Sequence, residues 1–184
     1  MVRLETDRLI LREWSKKDIK DLIENINDIN IAINLVKVPY PYTKKDAINW
    51  IINCKKDQIK KPRLTYELAI ELKSEGKVIG GIALININKF QGTSEVGCWI
   101  GEIYWRKKLA TESLHEMLAF AFLTLKLKKV NAYIIAENLP SKRLVKKLGF
   151  IYEGTRKEYV RDKAKGDIHD QNIYRMLNKE WSKK

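Results

Sequence analysis

"SEVGCWIGEIYWRKKLATESL", Ser94 to Leu114, contains the change of period on which the fold turns. Its first residues alternate. Glu95, Gly97, Trp99 and Gly101 fall on one face of an extended strand, and Val96, Cys98 and Ile100 on the other. From Ala110 the spacing becomes helical, with Leu114, Met117, Leu118, Ala121, Phe122 and Leu125 sharing a face through Leu125. Strand, short loop and helix is the arrangement in which main-chain N–H groups at a helix start can hold a phosphate. Arg106, Lys107 and Lys108 stand in that loop, at the positive end of the helix dipole. Each exposed cation there costs about 0.3–1 kcal/mol. A bound pyrophosphate would turn the penalty into attraction. A solvated basic turn is the other reading, and the local sequence leaves both open.

Upstream, "RLILREW" (Arg8–Trp14) is rich in strand formers. "SKKDIKDLIENI" follows, with Ser15 as N-cap, Asp18 three residues on, and Ile19, Leu22, Ile23 and Ile26 at helical spacing. "VPYPYTKKDAINWIINCKKDQIKK" opens with a proline-marked turn. Thr43 then caps a second helix, whose apolar face is expected to carry Ala47, Ile48, Ile51 and Ile52. "TYELAIEL" and "KVIGGIALINI" are strands joined by the turn "KSEGK", and "NKFQGT" leads on to "SEVGCWIG". Downstream, "KKVNAYIIA" reads as a strand and "NLPSKRLVKKLGF" as a short helix ended by Gly149. "EGTRKEYVRD", "KAKGD" and "DQNIYRML" close the chain as strand, turn and strand. No repeat or linker interrupts this pattern. It predicts one mixed α/β domain over residues 1–184, with a central sheet flanked by helices.

Composition narrows the function classes. The 184 residues, 45% hydrophobic and 32% charged, are enough for one well-buried core and too few for two comfortable domains. No apolar run approaches the roughly 20 residues a membrane helix needs. "MVRLETDRL" lacks the apolar core of a secretory signal, so a cytoplasmic location is expected. Cys54 and Cys98, His115 and His169 are scattered, which disfavours a disulfide framework or a metal centre. The net charge of +13 favours polyanionic partners: nucleic acid, a ribosomal surface or a phosphorylated cofactor. A lysine-rich surface that only confers solubility explains the same number.

Six segments occur in a telling order: "LETDRLILREW", "PYPYTKKDAINWI", "ELAIELKSEGKVIGGIAL", "SEVGCWIGEIYWRKKLATESL", "ENLPSKRLVKKLGFIYEG" and "GDIHDQNIYRML". Together they resemble the GNAT superfamily of acetyl-CoA-dependent N-acetyltransferases, and within it the RimJ/RimL-like ribosomal-protein enzymes. The resemblance implies a mostly antiparallel sheet splayed between its fourth and fifth strands, with acetyl-CoA in the cleft. It implies cofactor contacts from Trp99, Ile100 and Gly101, from Arg106, Lys107, Lys108, Leu109, Ala110 and Thr111, and from Asn138 and Ser141. One departure stands out. The family's phosphate loop usually reads Q/R-x-x-G-x-G/A, often "WGKGYATEA" in this subgroup, whereas this chain has "WRKKLATES". Arg106 and Lys108 thus stand where glycine is usual. An L-residue held in left-handed geometry costs about 1–2 kcal/mol. The loop relaxes, or contacts to phosphate offset the strain, or affinity is lost. Retained binding is expected, because Ala110, Thr111 and Glu112 still match and the replacements are cations.

In the family the N-x-x-S element faces the pantetheine arm and its sulfur. Attack of an amine on a thioester expels a thiolate, and a thiol of pKa near 8.5 leaves more easily beside a hydrogen-bond donor. Ser141 is the candidate donor; the alternative is that Ser141 caps the helix behind it. Glu95 is the first candidate for general base and Glu102 the second, each against a solvated or salt-bridged alternative. A free α-amino group, with pKa about 7.7–8.0, needs only a modest base, whereas a lysine near 10.4 needs much more. Cys98 reads as a packed thiol, because direct transfer to an amine needs no acyl-enzyme. No function is assigned to His115 or His169. The expectation is an N-acetyltransferase acting on a protein N-terminal α-amino group, monomeric or homodimeric, with its basic surface free to meet ribosome or RNA. The alternatives are acetylation of a small-molecule amine, or a non-catalytic basic nucleic-acid-binding module whose loop no longer holds CoA.

Overall fold

A computed structural model of the chain describes residues 1–181. Eight strands form one sheet: β1 (Arg3–Glu5), β2 (Leu9–Glu13), β3 (Tyr66–Leu72), β4 (Lys77–Asn88), β5 (Thr93–Ile100), β6 (Lys129–Ile135), β7 (Ile151–Arg161) and β8 (Ile168–Leu177). Their spatial order is β1-β2-β3-β4-β5-β6-β8-β7. Every neighbouring pair is antiparallel except β5 and β6. Those two run parallel and pair only from Thr93–Glu95 to Lys129–Asn131. From Val96 onward they part. This is the expected splay; the two strands rank fifth and sixth because the short β1 precedes the strands legible in the sequence.

Five helices cover the two faces: α1 (Ile19–Ile26), α2 (Ile29–Ala32), α3 (Lys44–Ile59), α4 (Leu109–Ala119) and α5 (Leu139–Lys147). On one face α4 packs Leu114, Met117 and Leu118 against Leu9, Leu11, Leu68, Leu84 and Val96. On the other, α1 and α3 bring Leu22, Ile26, Ile51 and Cys54 onto Trp14, Ala69 and Val78, with Trp99 against them. Gly81 has a packing reason here. A Cβ on it would lie 2.6 Å from the Trp99 indole nitrogen, so its absence lets that ring lie against the sheet.

Thr43 caps α3 as expected: the Asp46 N–H donates to its hydroxyl at 3.2 Å, and the Thr43 N–H donates to the Asp46 carboxylate at 2.9 Å. The buried stripe of α3 is Ala47, Ile51 and Cys54, while Ile48 and Ile52 are exposed. Ala-Ile and Ile-Ile at a spacing of four fit two neighbouring stripes equally, and Cys54, seven residues beyond Ala47, continues only one. The long helix stops at Ala119 and widens into a π-helical turn over Phe120–Thr124, which keeps Ala121 and Phe122 buried. Gly149, with φ +92°, ends α5.

Candidate active site

Where β5 leaves β6, its outer edge is open. The Gly101 N–H donates to the Ile79 carbonyl at 2.8 Å. By the alternation of an antiparallel ladder, Trp99 and Gly97 also turn their main-chain groups toward β4. Val96, Cys98 and Ile100 therefore direct theirs into the gap. Trp105 reaches across the end of that edge, its indole N–H donating to the Ile100 carbonyl at 2.7 Å. An extended, polar arm laid in the gap would meet strand-type donors and acceptors. The side chains divide as the alternation predicts, with Trp99 on the α1/α3 face and Cys98 toward α4. The Cys98 sulfur lies 3.7 Å from the Ser113 hydroxyl, and burial pushes the thiol up to about 12. Such a thiol is no nucleophile at neutral pH.

The basic loop closes the open end of the edge. Arg106 and Lys108 both have φ +62°, so the glycine-like backbone persists without glycine. The Glu112 N–H donates to the Lys108 carbonyl at 3.1 Å, beginning the regular bonding of α4. The N–H groups of residues 106–111 have no protein acceptor among the described residues. This run of free donors, with three cations beside it and the positive end of α4 behind it, fits a pyrophosphate. Lys107 Nζ rests 5.2 Å from the centroid of Tyr104. Behind the loop, Glu112 accepts from Thr6 Oγ1 at 2.5 Å and from Arg8 Nε at 2.7 Å.

The opposite wall is the start of α5. Asn138 caps this helix, its side-chain oxygen accepting from the Ser141 N–H at 3.0 Å. Ser141 is thus the third residue of the first turn, not the cap; the reach of the Asn138 side chain decides this. The Ser141 hydroxyl has no hydrogen-bond partner among the described residues, which leaves it available to a ligand. Glu95 sits on the last β5–β6 rung, opposite Asn131, and accepts from Asn86 Nδ2 at 3.0 Å. Glu102 is exposed at the other end of the edge. There a hydrogen bond with Asp28, and the Asp28 charge, hold its carboxyl above the usual range. Glu95 lies five residues before the end of β5 at Ile100, roughly 17 Å at about 3.3 Å per residue, and Glu102 lies beyond that end, so the two carboxylates are too far apart to serve one reacting atom. The structure thus gathers Trp99–Gly101 with Arg106–Thr111, sets Asn138 and Ser141 across the gap, and divides the two candidate bases. Sequence reasoning missed Thr6 and Arg8, which no local pattern marks as partners of α4.

A free strand edge, ended by a donor-rich basic loop, is suited to an extended cosubstrate with phosphates at one end. Residues 8–151 match the family described as the acetyltransferase (GNAT) domain, and the chain belongs to that family. It is an acetyl-CoA-dependent N-acetyltransferase. The uncharacterized N-acetyltransferase p20 of Bacillus licheniformis is 27% identical over 184 residues, 99% of each chain. The solved ribosomal-protein-S5-alanine acetyltransferase from Vibrio fischeri superposes with a TM-score of 0.83 at 20% identity, covering 99% of this chain and 100% of that one. The spermidine N-acetyltransferase from Vibrio cholerae, solved with CoA and spermine, gives 0.80 at 20% identity, covering 95% and 98%. Among the described residues no helix is long and apolar enough to cross a membrane.

Proposed function

We propose that the chain transfers acetyl from acetyl-CoA to the N-terminal α-amino group of a polypeptide, with a ribosomal protein as the leading acceptor. The cosubstrate supplies an activated acyl group on a thiolate leaving group; the chain supplies placement and proton control. In this reading the pyrophosphate lies on the N–H groups of residues 106–111, and the arm follows the edge from Ile100 toward Val96. The thioester then lies nearer Glu95 than Glu102. Glu95 is accordingly the base, acting directly or through water, and the free Ser141 hydroxyl donates to the departing sulfur. Glu102 stays beside the phosphates.

The observation that carries the choice of acceptor is the carboxylate at the closed end of the edge. A carboxylate as a class is a weak base, matched to an amine that is already partly neutral near pH 7 and poorly matched to a lysine side chain. Alignment of amine and thioester supplies several kcal/mol more without any stronger base. The two solved relatives show that one fold serves both a ribosomal protein and a polyamine, so the acceptor has to be tested directly. The test measures thiol release from acetyl-CoA with peptides of free N-terminus, N-terminally blocked lysine peptides, spermidine and an aminoglycoside. Turnover confined to free N-termini is expected. Equal activity on small amines and none on peptides would overturn the proposal.

A further inference from the structure

Two left-handed L-residues in one loop require a cause. Each costs about 1–2 kcal/mol, and such geometry persists only where its surroundings over-determine it. Arg106 and Lys108 flank Lys107, whose carbonyl accepts from Arg8 Nη1 at 3.0 Å. Among the described residues no other side chain hydrogen-bonds the main chain of residues 106–108. The C=O and N–H of a trans peptide point in opposite directions. Fixing the Lys107 carbonyl on Arg8 therefore aims the Lys108 N–H the other way, toward the side where the free donors converge.

Arg8 is itself held. Its Nε and Nη2 lie 2.7 and 2.6 Å from Glu112 Oε2, while its own N–H donates to Glu112 Oε1 at 3.0 Å. Thr6 Oγ1 donates to that same oxygen at 2.5 Å. The planar guanidinium thus bridges a carboxylate on the first turn of α4 and a carbonyl in the loop, which a lysine cannot do with one nitrogen. The pairing also cancels a negative charge that would otherwise face the phosphates from one helical turn away.

We propose that Arg8 is a positioning residue for the cofactor loop, supplying through the Lys107 carbonyl and the Glu112 carboxylate the conformational control that glycine would give at positions 106 and 108; this rests on the reading of residues 106–111 as the pyrophosphate site. The test compares wild type, Arg8→Lys, Arg8→Ala and Glu112→Gln by calorimetry with CoA and by steady-state kinetics. Loss of charge-assisted hydrogen bonds to the loop is expected to raise the CoA Kd and the acetyl-CoA KM about tenfold or more in both Arg8 variants, leaving the acceptor KM unchanged. The same loss is expected to shrink in a Lys108→Gly background, where the backbone needs no restraint. Wild-type CoA affinity in a folded Arg8→Lys protein would overturn the clamp alone, as would an equal loss with and without Lys108→Gly. Failure of the wild-type protein to bind CoA would remove the pyrophosphate reading itself.

Discussion

Arg106 and Lys108 set local preference against observed backbone. Both occupy φ +62°, so substitution by glycine removes strain and adds only the entropy of a freer unfolded chain. Lys108→Gly is expected to raise stability by about 0.5–1 kcal/mol and to weaken CoA binding through loss of a cation, a divergence that chemical denaturation and calorimetry would register in one protein. If stability falls instead, the loop is not strained by its side chains. Ser141 offers the converse separation. Its N–H, not its hydroxyl, serves the Asn138 cap. Ser141→Ala should therefore lower kcat about tenfold or more with unchanged stability, while Asn138→Ala should cost about 1 kcal/mol of stability. An unaltered kcat in Ser141→Ala would remove the hydroxyl from the chemistry. That three cations precede a helix was legible in the sequence; that the glycine-like geometry survives was not, since nothing within residues 104–113 reveals the Arg8 contact.

At the scale of elements, periodicity, strand-forming residues and turn signals together marked every strand from Leu9 onward and all helices except α2. β1 and α2, three and four residues long, are too short to repeat a pattern. The union of the amino-terminal segment with α4 was invisible for another reason: Arg8 and Glu112 lie 104 positions apart. That union carries a pH signature. Burial pushes the Glu112 carboxyl up, but the hydrogen bonds from Thr6 and Arg8 and the Arg8 charge outweigh it and leave the pKa below its ordinary value. A lowered folded-state pKa means stabilisation that is present above the unfolded value and lost as pH falls through the folded one. Wild type should accordingly exceed Glu112→Gln by about 1–3 kcal/mol at neutral pH, and the gap should narrow steadily on acidification. Urea titrations of both proteins at several pH values measure this. A constant gap would mean that the contact is packing, not charge.

For the whole molecule, the question is whether its charge of +13 draws the cofactor as a diffuse field or through a few local cations. At 0.1 M salt the Debye length is about 10 Å, so most surface lysines are screened from a ligand entering the cleft. Arg106, Lys107 and Lys108 border the free donors directly and lie inside that range. Lys55, Lys56 and Lys61 belong to another part of the surface, on the exposed side of α3 and just beyond it. Replacing the loop trio by alanine should therefore flatten the salt dependence of the CoA association rate, measured by stopped flow, whereas replacing the α3 trio should leave it as in wild type. Both variants carry the same net charge, so equal slopes would assign steering to the overall field. A flat slope only in the loop variant would show that acetyl-CoA is drawn in by Arg106, Lys107 and Lys108 and not by the remaining charge.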